Sequence, residues 1–164
     1  MIARGLGAGF LATLACGAAA AACNDPPAPN VDWRRCGMEE RRLVDLDLTG
    51  ADLEDSRLGR ADLSGANLTG ADLRRAKLIG ATLRGAKLDG ARMVEVDLTK
   101  ADLAGASLRG VDLARARLFN AKLADADLTG ARLGGTDFLN ADLSRARWVD
   151  GKTICAQGST GVCN

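Results

Sequence analysis

Large apolar residues recur at every fifth position along most of this chain. The series begins at Leu43, ends at Trp148 and comprises 22 units, and from Ala51 to Ala146 a small residue, usually alanine, stands two places before the large one. A spacing of five matches neither the two-residue alternation of a β-strand nor the 3.6-residue period of an α-helix. The pattern therefore predicts short turns stacked on one another, as in a solenoid.

Each unit repeats one phrase, which the run Ala61-Asp62-Leu63-Ser64-Gly65 shows in full. Residues 41–149 resemble the pentapeptide-repeat family, whose phrase is an alanine, an aspartate or asparagine, a leucine and two variable positions. The resemblance implies an all-β fold, the right-handed quadrilateral β-helix, with four pentapeptides to a coil and about 5.5 coils. In such a coil the leucines point inward, and the alanines lie at corners where backbones approach closely.

The two ends of the chain depart from the phrase and divide it into segments. We expect a signal peptide at 1–22, an N-terminal cap and linker at 23–40, the pentapeptide-repeat β-helix at 41–149 and a C-terminal disulfide cap at 150–164. Arg4 precedes an apolar stretch and several small residues, which is typical of bacterial export to the periplasm or medium. An uncleaved membrane anchor and a lipoprotein attached through Cys16 or Cys23 are the alternatives.

Four cysteines flank the repeats after the expected cleavage near Ala22. Cys23 and Cys36 precede them, and Cys155 and Cys163 follow them. An even number split into two local pairs suits two disulfides in an oxidising compartment. Lipidation of Cys23 would leave Cys36 without this partner, and a metal site is the alternative for the C-terminal pair.

Composition narrows the range of functions. The chain carries 22 basic and 21 acidic residues and has no histidine. Balanced charge lacks the strong positive field of a nucleic-acid binder, so no nucleic-acid partner is expected. The absence of histidine removes the commonest general base and the commonest metal ligand.

Candidate catalytic residues occur, but no arrangement of them stands out. Ser64, Ser107 and Ser144 lack a histidine partner, and carboxylate pairs such as Asp125 with Asp127 arise from the repeat by default. We therefore predict that the protein is not an enzyme, with no catalytic or metal-ligating residues, no cofactor and no small-molecule substrate.

Reading the repeats in columns of twenty places surface residues above one another. One column alternates in charge through Asp55, Arg75, Glu95 and Arg115, which predicts attraction between neighbouring coils. Another column contains Ile79, Phe119 and Leu139, and an apolar stripe of this kind marks a contact surface for a protein partner or a second copy. The alternative is scattered apolar residues covered by their neighbours.

These patterns favour a non-catalytic, exported structural or protein-interaction module. The family resemblance also offers a DNA-mimicking protein that interacts with a topoisomerase. Such members present a strongly acidic surface, whereas this chain distributes Arg57, Arg84, Arg109 and Arg132 among its acidic residues. Balanced charge and the export signal disfavour this alternative.

Overall fold

The computed structural model describes residues 22–164. The signal peptide and the lipidation site at Cys16 that the sequence predicts lie outside these residues, except for Ala22. A single-turn 3₁₀ helix spans Ala22–Asn24. Within the described residues, no helix has the length and apolar character needed to cross a membrane.

From 31 to 150 the backbone repeats a five-residue cycle of one bridge residue and a two-residue turn. Each bridge between coils is parallel and joins residues twenty apart, from Asp32 with Asp52 to Asp127 with Arg147. One coil therefore contains four pentapeptides. The strands of this β-helix are single-residue bridges, and the turns between them form its corners.

The coil has four faces, which we number in chain order. Face I contains residues 31–35 and every pentapeptide twenty residues further on. Faces II, III and IV begin in the same way at residues 36, 41 and 46. Within a pentapeptide the residues are called the small, bridge and inward positions and the first and second turn positions.

The turn explains why glycine is frequent at the second turn position. The N–H of Ala51 donates to the carbonyl of Leu48 at 3.0 Å, and φ of the intervening Gly50 is 67°. A type II turn has this hydrogen bond between its first and fourth residues and requires a left-handed backbone at its third residue. Where arginine, aspartate or asparagine replaces glycine, the same conformation is kept, as at Arg75 with φ of 57°.

The aspartate or asparagine at the bridge position completes the turn. Asp62 accepts hydrogen bonds from the Ser64 N–H at 3.1 Å and from the Ser64 hydroxyl at 2.6 Å. Asn67 accepts from the Thr69 N–H in the same way, at 3.2 Å. A short side-chain acceptor satisfies an N–H that the bridges leave unpaired, which accounts for the residue types of the phrase.

Leucines at the inward position form the core. Leu63, Leu83 and Leu103 stack along one face, and each is 0% exposed, as are alanines such as Ala61 and Ala81 at the small position. Burial of each leucine contributes roughly 1.5–3 kcal/mol. The small position directly follows each turn, and from Ala51 onward its alanine, serine, threonine or valine packs beside the inward leucines.

The coil begins earlier than the leucine pattern shows. Trp33 and Met38 occupy inward positions of the same register and are each 1% exposed. Neither residue is leucine, and Arg41 stands at a small position, so the sequence pattern becomes recognisable only from Leu43. Residues 31–40 therefore share the backbone of the coil, although the sequence assigns them to a cap and linker.

The N-terminal end is held by a disulfide and by a hydrogen bond. Cys23 is bonded to Cys36, and the Trp33 Nε1–H donates to the carbonyl of Asp25 at 3.3 Å. Together these contacts lay the segment before the coil against Trp33.

At the C-terminal end the chain turns back on the last coil. Antiparallel bridges join Arg147 with Ile154 and Asp142 with Thr160. Cys155 is bonded to Cys163, which closes this cap. Both disulfides have the pairing that the cysteine positions predict.

Candidate functional site

The first turn positions of face II form the column in which the sequence places an apolar stripe. Ile79 is 44% exposed and Leu139 is 59% exposed, whereas Phe119 between them is partly buried. Thr99 separates Ile79 from Phe119. We call Ile79, Phe119 and Leu139 the face II stripe; its two ends are open to solvent and its centre is less accessible.

A shallow groove of about 480 Å³ adjoins Ile79 at the corner between faces I and II. Two carboxylates, Glu95 and Asp97, lie in its middle layer. The layers on either side contribute four cations, which are Arg75, Lys77, Arg115 and Arg117. The groove therefore joins an apolar residue to a surface of mixed but predominantly positive charge.

Most of these charges are paired. Arg115 contacts Glu95 at 2.8 Å and Arg117 contacts Asp97 at 3.4 Å. Within residues 22–164, Lys77 has no carboxylate oxygen within 4.0 Å of its ammonium group. Lys77 is therefore the groove cation that a bound carboxylate could meet without displacing an existing partner.

The charge column at the second turn positions of face I behaves as its sequence predicts. Arg75 donates to Asp55 at 2.9 Å and to Glu54 at 2.6 Å. The hydrogen bond from Arg75 lowers the pKa of Asp55, and the hydrogen bond to Asp55 raises the pKa of Arg75. These exposed pairs orient side chains between coils but each contributes little to stability.

The serines considered as nucleophiles are held by carboxylates. The hydroxyl of Ser64 donates to Asp62, that of Ser144 to Asp142 at 2.6 Å, and that of Ser107 to Asp89 at 2.5 Å. In each case the hydroxyl is a donor to a neighbouring carboxylate on the coil surface. This arrangement stabilises turns and coil contacts.

The carboxylates Asp125 and Asp127 have separate partners. Asp125 accepts from Arg145, and Asp127 accepts from the Thr129 hydroxyl. Hydrogen bonding from Arg145 lowers the pKa of Asp125, and no cluster of three or more metal-ligating side chains occurs in residues 22–164.

The sequence columns identify the stripe but not the groove, because the groove joins columns of two adjacent faces across a corner.

Comparison with known proteins gives one family. The sequence profile described as "Pentapeptide repeats" matches in eight copies, over residues 42–78, 76–115 and 112–147. No curated protein matches the chain.

Solved structures with the same repeat are similar to this chain. HetL from the cyanobacterium Nostoc sp. strain PCC 7120, a protein involved in regulation of heterocyst differentiation, is 33% identical, with a TM-score of 0.53. The alignment covers 75% of this chain and 64% of HetL, so this chain spans less than two thirds of that protein.

Two further structures are more distant. A thylakoid-lumen protein of Arabidopsis thaliana is 25% identical, with 79% of this chain and 85% of that chain covered and a TM-score of 0.34. QnrB1, a plasmid-mediated fluoroquinolone resistance protein, is 17% identical, with 73% and 78% covered and a TM-score of 0.22. Both are pentapeptide-repeat proteins, and neither likeness bears on the function of this chain.

Proposed function

Because this chain belongs to the pentapeptide-repeat family, we propose that it is an exported, non-catalytic protein-interaction module that binds a partner through the face II stripe and the adjoining groove. One observation carries the proposal. Ile79 and Leu139 are the large apolar side chains of residues 31–150 that are exposed, and they lie in one column. Exposed apolar residues grouped on one face are typical of a contact surface.

The chemistry of the surface describes its partner. Ile79 offers an apolar contact, and Lys77 beside it offers an ammonium group without an ion pair among the described residues. A protein segment with an apolar side chain next to a carboxylate would complement both. The stacked bridges hold these residues in place, so binding would not require the surface to order first.

The two disulfides support export, since such bonds persist in oxidising compartments. We propose that residues 1–22 direct the chain to the periplasm or medium and that the mature protein is a rod of six turns. The sequence predicts about 5.5 coils, and residues 31–40, which share the twenty-residue register, add the remaining half coil.

Site-specific photo-crosslinking in the producing bacterium tests the contact surface. A benzoylphenylalanine replaces Ile79 in one variant and Ala124 in a control, which occupies the same turn position on face III. We expect a discrete crosslinked protein from position 79 that is absent from position 124 and is lost when Lys77→Glu is added. Identical adducts from both positions, or none from position 79, would reject the face II surface.

Export has its own test. Cell fractionation followed by intact mass measurement should find a chain lacking about the first 22 residues, with a mass deficit of four hydrogens from two disulfides. A lipid adduct on Cys23 would replace the soluble form by the lipoprotein alternative. A full-length reduced chain in the cytoplasm would refute export.

The topoisomerase alternative predicts a different activity. Its members mimic DNA, whereas here cations such as Arg92, Arg117 and Arg132 alternate with carboxylates along the faces. A DNA supercoiling assay should show neither inhibition nor protection of a type II topoisomerase. Either effect, at protein concentrations comparable to the enzyme, would restore the alternative.

A further inference from the structure

The C-terminal end of the coil is only partly closed. Each interior pentapeptide uses three backbone groups, two N–H and one C=O, to form hydrogen bonds with the next coil. Leu53 donates its N–H to Asp72 at 2.7 Å, Asp55 donates to Arg74 at 3.0 Å, and the carbonyl of Ala51 accepts from Asp72 at 2.9 Å. The last coil has no following coil, so its groups need other partners.

The C-terminal cap supplies acceptors for three of the four such N–H groups on faces III and IV, and for none of those on faces I and II. Leu143 donates to Ser159 at 2.8 Å, Arg145 to Cys155 at 3.0 Å and Trp148 to Thr153 at 2.8 Å. On faces I and II the equivalent N–H groups have no hydrogen-bond acceptor within residues 22–164. They belong to Leu133, Gly135, Phe138 and Asn140.

Burial follows this division on three of the four faces. Leu143 under the cap is 0% exposed, like the inward residues of the interior coils, whereas Leu133 and Phe138 are only partly buried. Trp148 on face IV is partly buried as well and contacts the Phe138 ring. The half of the last coil formed by faces I and II is therefore an open edge. We call residues 131–140 the open edge.

The cap carries the complementary groups on its outer side. Ile154 and Thr160 are its bridge residues, but the hydrogen bonds to the coil come from their neighbours. Cys155 donates to Ala146 at 2.9 Å, and Gly161 donates to Ala141 at 2.8 Å. Since alternate residues of a strand direct their backbone groups to opposite sides, the N–H and C=O of Ile154 and Thr160 point away from the coil.

The outward N–H and C=O of Ile154 and of Thr160 match the donor and acceptor that one residue contributes to a parallel bridge. Within the coil, Asp52 donates its N–H to Val31 at 2.9 Å and accepts from Trp33 at 2.8 Å, so one residue serves the two groups that flank Asp32. Ile154 and Thr160 each present the same donor and acceptor. Apolar side chains on the cap are also exposed to solvent: Ile154 is 48% exposed and Val162 is 62% exposed.

We propose that two copies of this chain join through their C-terminal ends, each cap covering the open edge of the other. A two-fold axis perpendicular to the coil exchanges face I with face IV and face II with face III. It places the cap bridge residues of one copy, Ile154 and Thr160, over Arg132 and Asp137 of the other. Both copies make the same contact, as closed two-fold symmetry requires.

Strand direction and chain order agree with this arrangement. The cap runs antiparallel to its own coil, and the two-fold axis reverses the second coil, so the second cap runs parallel to the first open edge. The cap crosses face IV at Ile154 before it crosses face III at Thr160, and the axis carries these to faces I and II in register. A single straight strand from another protein would cover one face only, because a corner separates faces I and II.

Self-association of the full mature chain tests the proposal. Because the contact is one end of a rod, sedimentation is followed from micromolar to millimolar concentrations. We expect a doubling of mass with rising concentration, which Val162→Asp and Ile154→Asp each shift to at least tenfold higher concentration. Ala124→Asp, on the side of the coil, should leave the equilibrium unchanged.

Hydrogen exchange of the unmodified chain gives a readout that needs no variant. The amides of Leu133 and Phe138 should exchange rapidly when dilute and become protected over the concentration range in which the mass doubles. A monomer at every concentration would overturn the proposal. So would a dimer that survives Val162→Asp but is lost in Phe119→Asp, because that dimer would form through the face II stripe.

Discussion

Single positions in the pentapeptide are selected by the space and the hydrogen bonds of the turn. Ser56 shows this most clearly, since it occupies a small position, is 0% exposed and has a hydroxyl without a hydrogen-bond partner. Alanine fills the same position in most pentapeptides and brings no polar atom into the corner. A buried unsatisfied hydroxyl lowers stability by about 1–3 kcal/mol.

We predict that Ser56→Ala raises the free energy of unfolding by about 1–2 kcal/mol, because it removes the unsatisfied hydroxyl. Thr136→Val is the matched control: the Thr136 hydroxyl at the same position donates to the Leu113 carbonyl at 2.8 Å. Its replacement should give no gain. Denaturant unfolding of both variants measures the difference, and a loss of stability in Ser56→Ala would contradict this account of the corner.

Acid should weaken the turns, because their aspartates are bound as carboxylates. Hydrogen bonds from the Ser64 side chain and N–H lower the pKa of Asp62, and those from Thr153 and Lys152 lower the pKa of Asp150 to about 2. A pKa that is lower in the folded state adds stability above the unfolded value, and this stability is lost as the pH falls through the folded value.

We therefore expect the denaturant midpoint to fall as the pH decreases from about 4 to about 2. The double variant Asp62→Asn, Asp150→Asn should lose less over this interval, since asparagine keeps the acceptor without titrating, as Asn67 does. Unfolding curves across this pH range provide the test. An equal fall in the variant and the unmodified chain would show that other groups control the acid response.

At the level of the coil, the stacked leucines carry most of the burial. An inward leucine in an interior coil has neighbours above and below it, whereas one in the open edge lacks a neighbour on one side. Leu98 is 0% exposed, and Leu133 is partly buried. The same substitution should therefore differ in cost at these two places.

Leu98→Ala should lower the free energy of unfolding by about 2–5 kcal/mol, because it leaves a cavity that the stack cannot close. Leu133→Ala should cost about half as much or less, since its side chain already contacts solvent. Chemical denaturation at low protein concentration measures both. Equal costs would mean that the last coil is as well covered as the interior.

The sequence predicts those features that lie within one column of the repeat, and it misses those that depart from the leucine pattern or join two faces. The twenty-residue register follows from the repeated phrase, so the columns containing Ile79 and the charged Arg75 are predictable. The start of the coil at 31 is not, because Trp33 and Met38 replace the leucine on which the pattern depends. Neither the groove nor the open edge is encoded in one column, since each joins residues of adjacent faces.

For the whole molecule, the unbroken register explains why contact residues far apart in sequence lie on one face. It also separates two surfaces. The face II stripe lies along the side of the rod, and the open edge lies at its end. Binding of a partner at the side and pairing of two copies at the end can therefore be measured independently with Ile79 and Val162 variants.

Cysteine pairing is the most direct measurement of this register. Bridged backbones of adjacent coils lie roughly 4.8 Å apart, within the separation that a disulfide can span. The account predicts that Thr99→Cys with Phe119→Cys forms a disulfide, identified by peptide mapping, whereas Thr99→Cys with Ala124→Cys, on the next face, does not. Failure of the first pair to crosslink in the folded, oxidised protein, or equal crosslinking of both pairs, would contradict the twenty-residue coil on which the stripe depends.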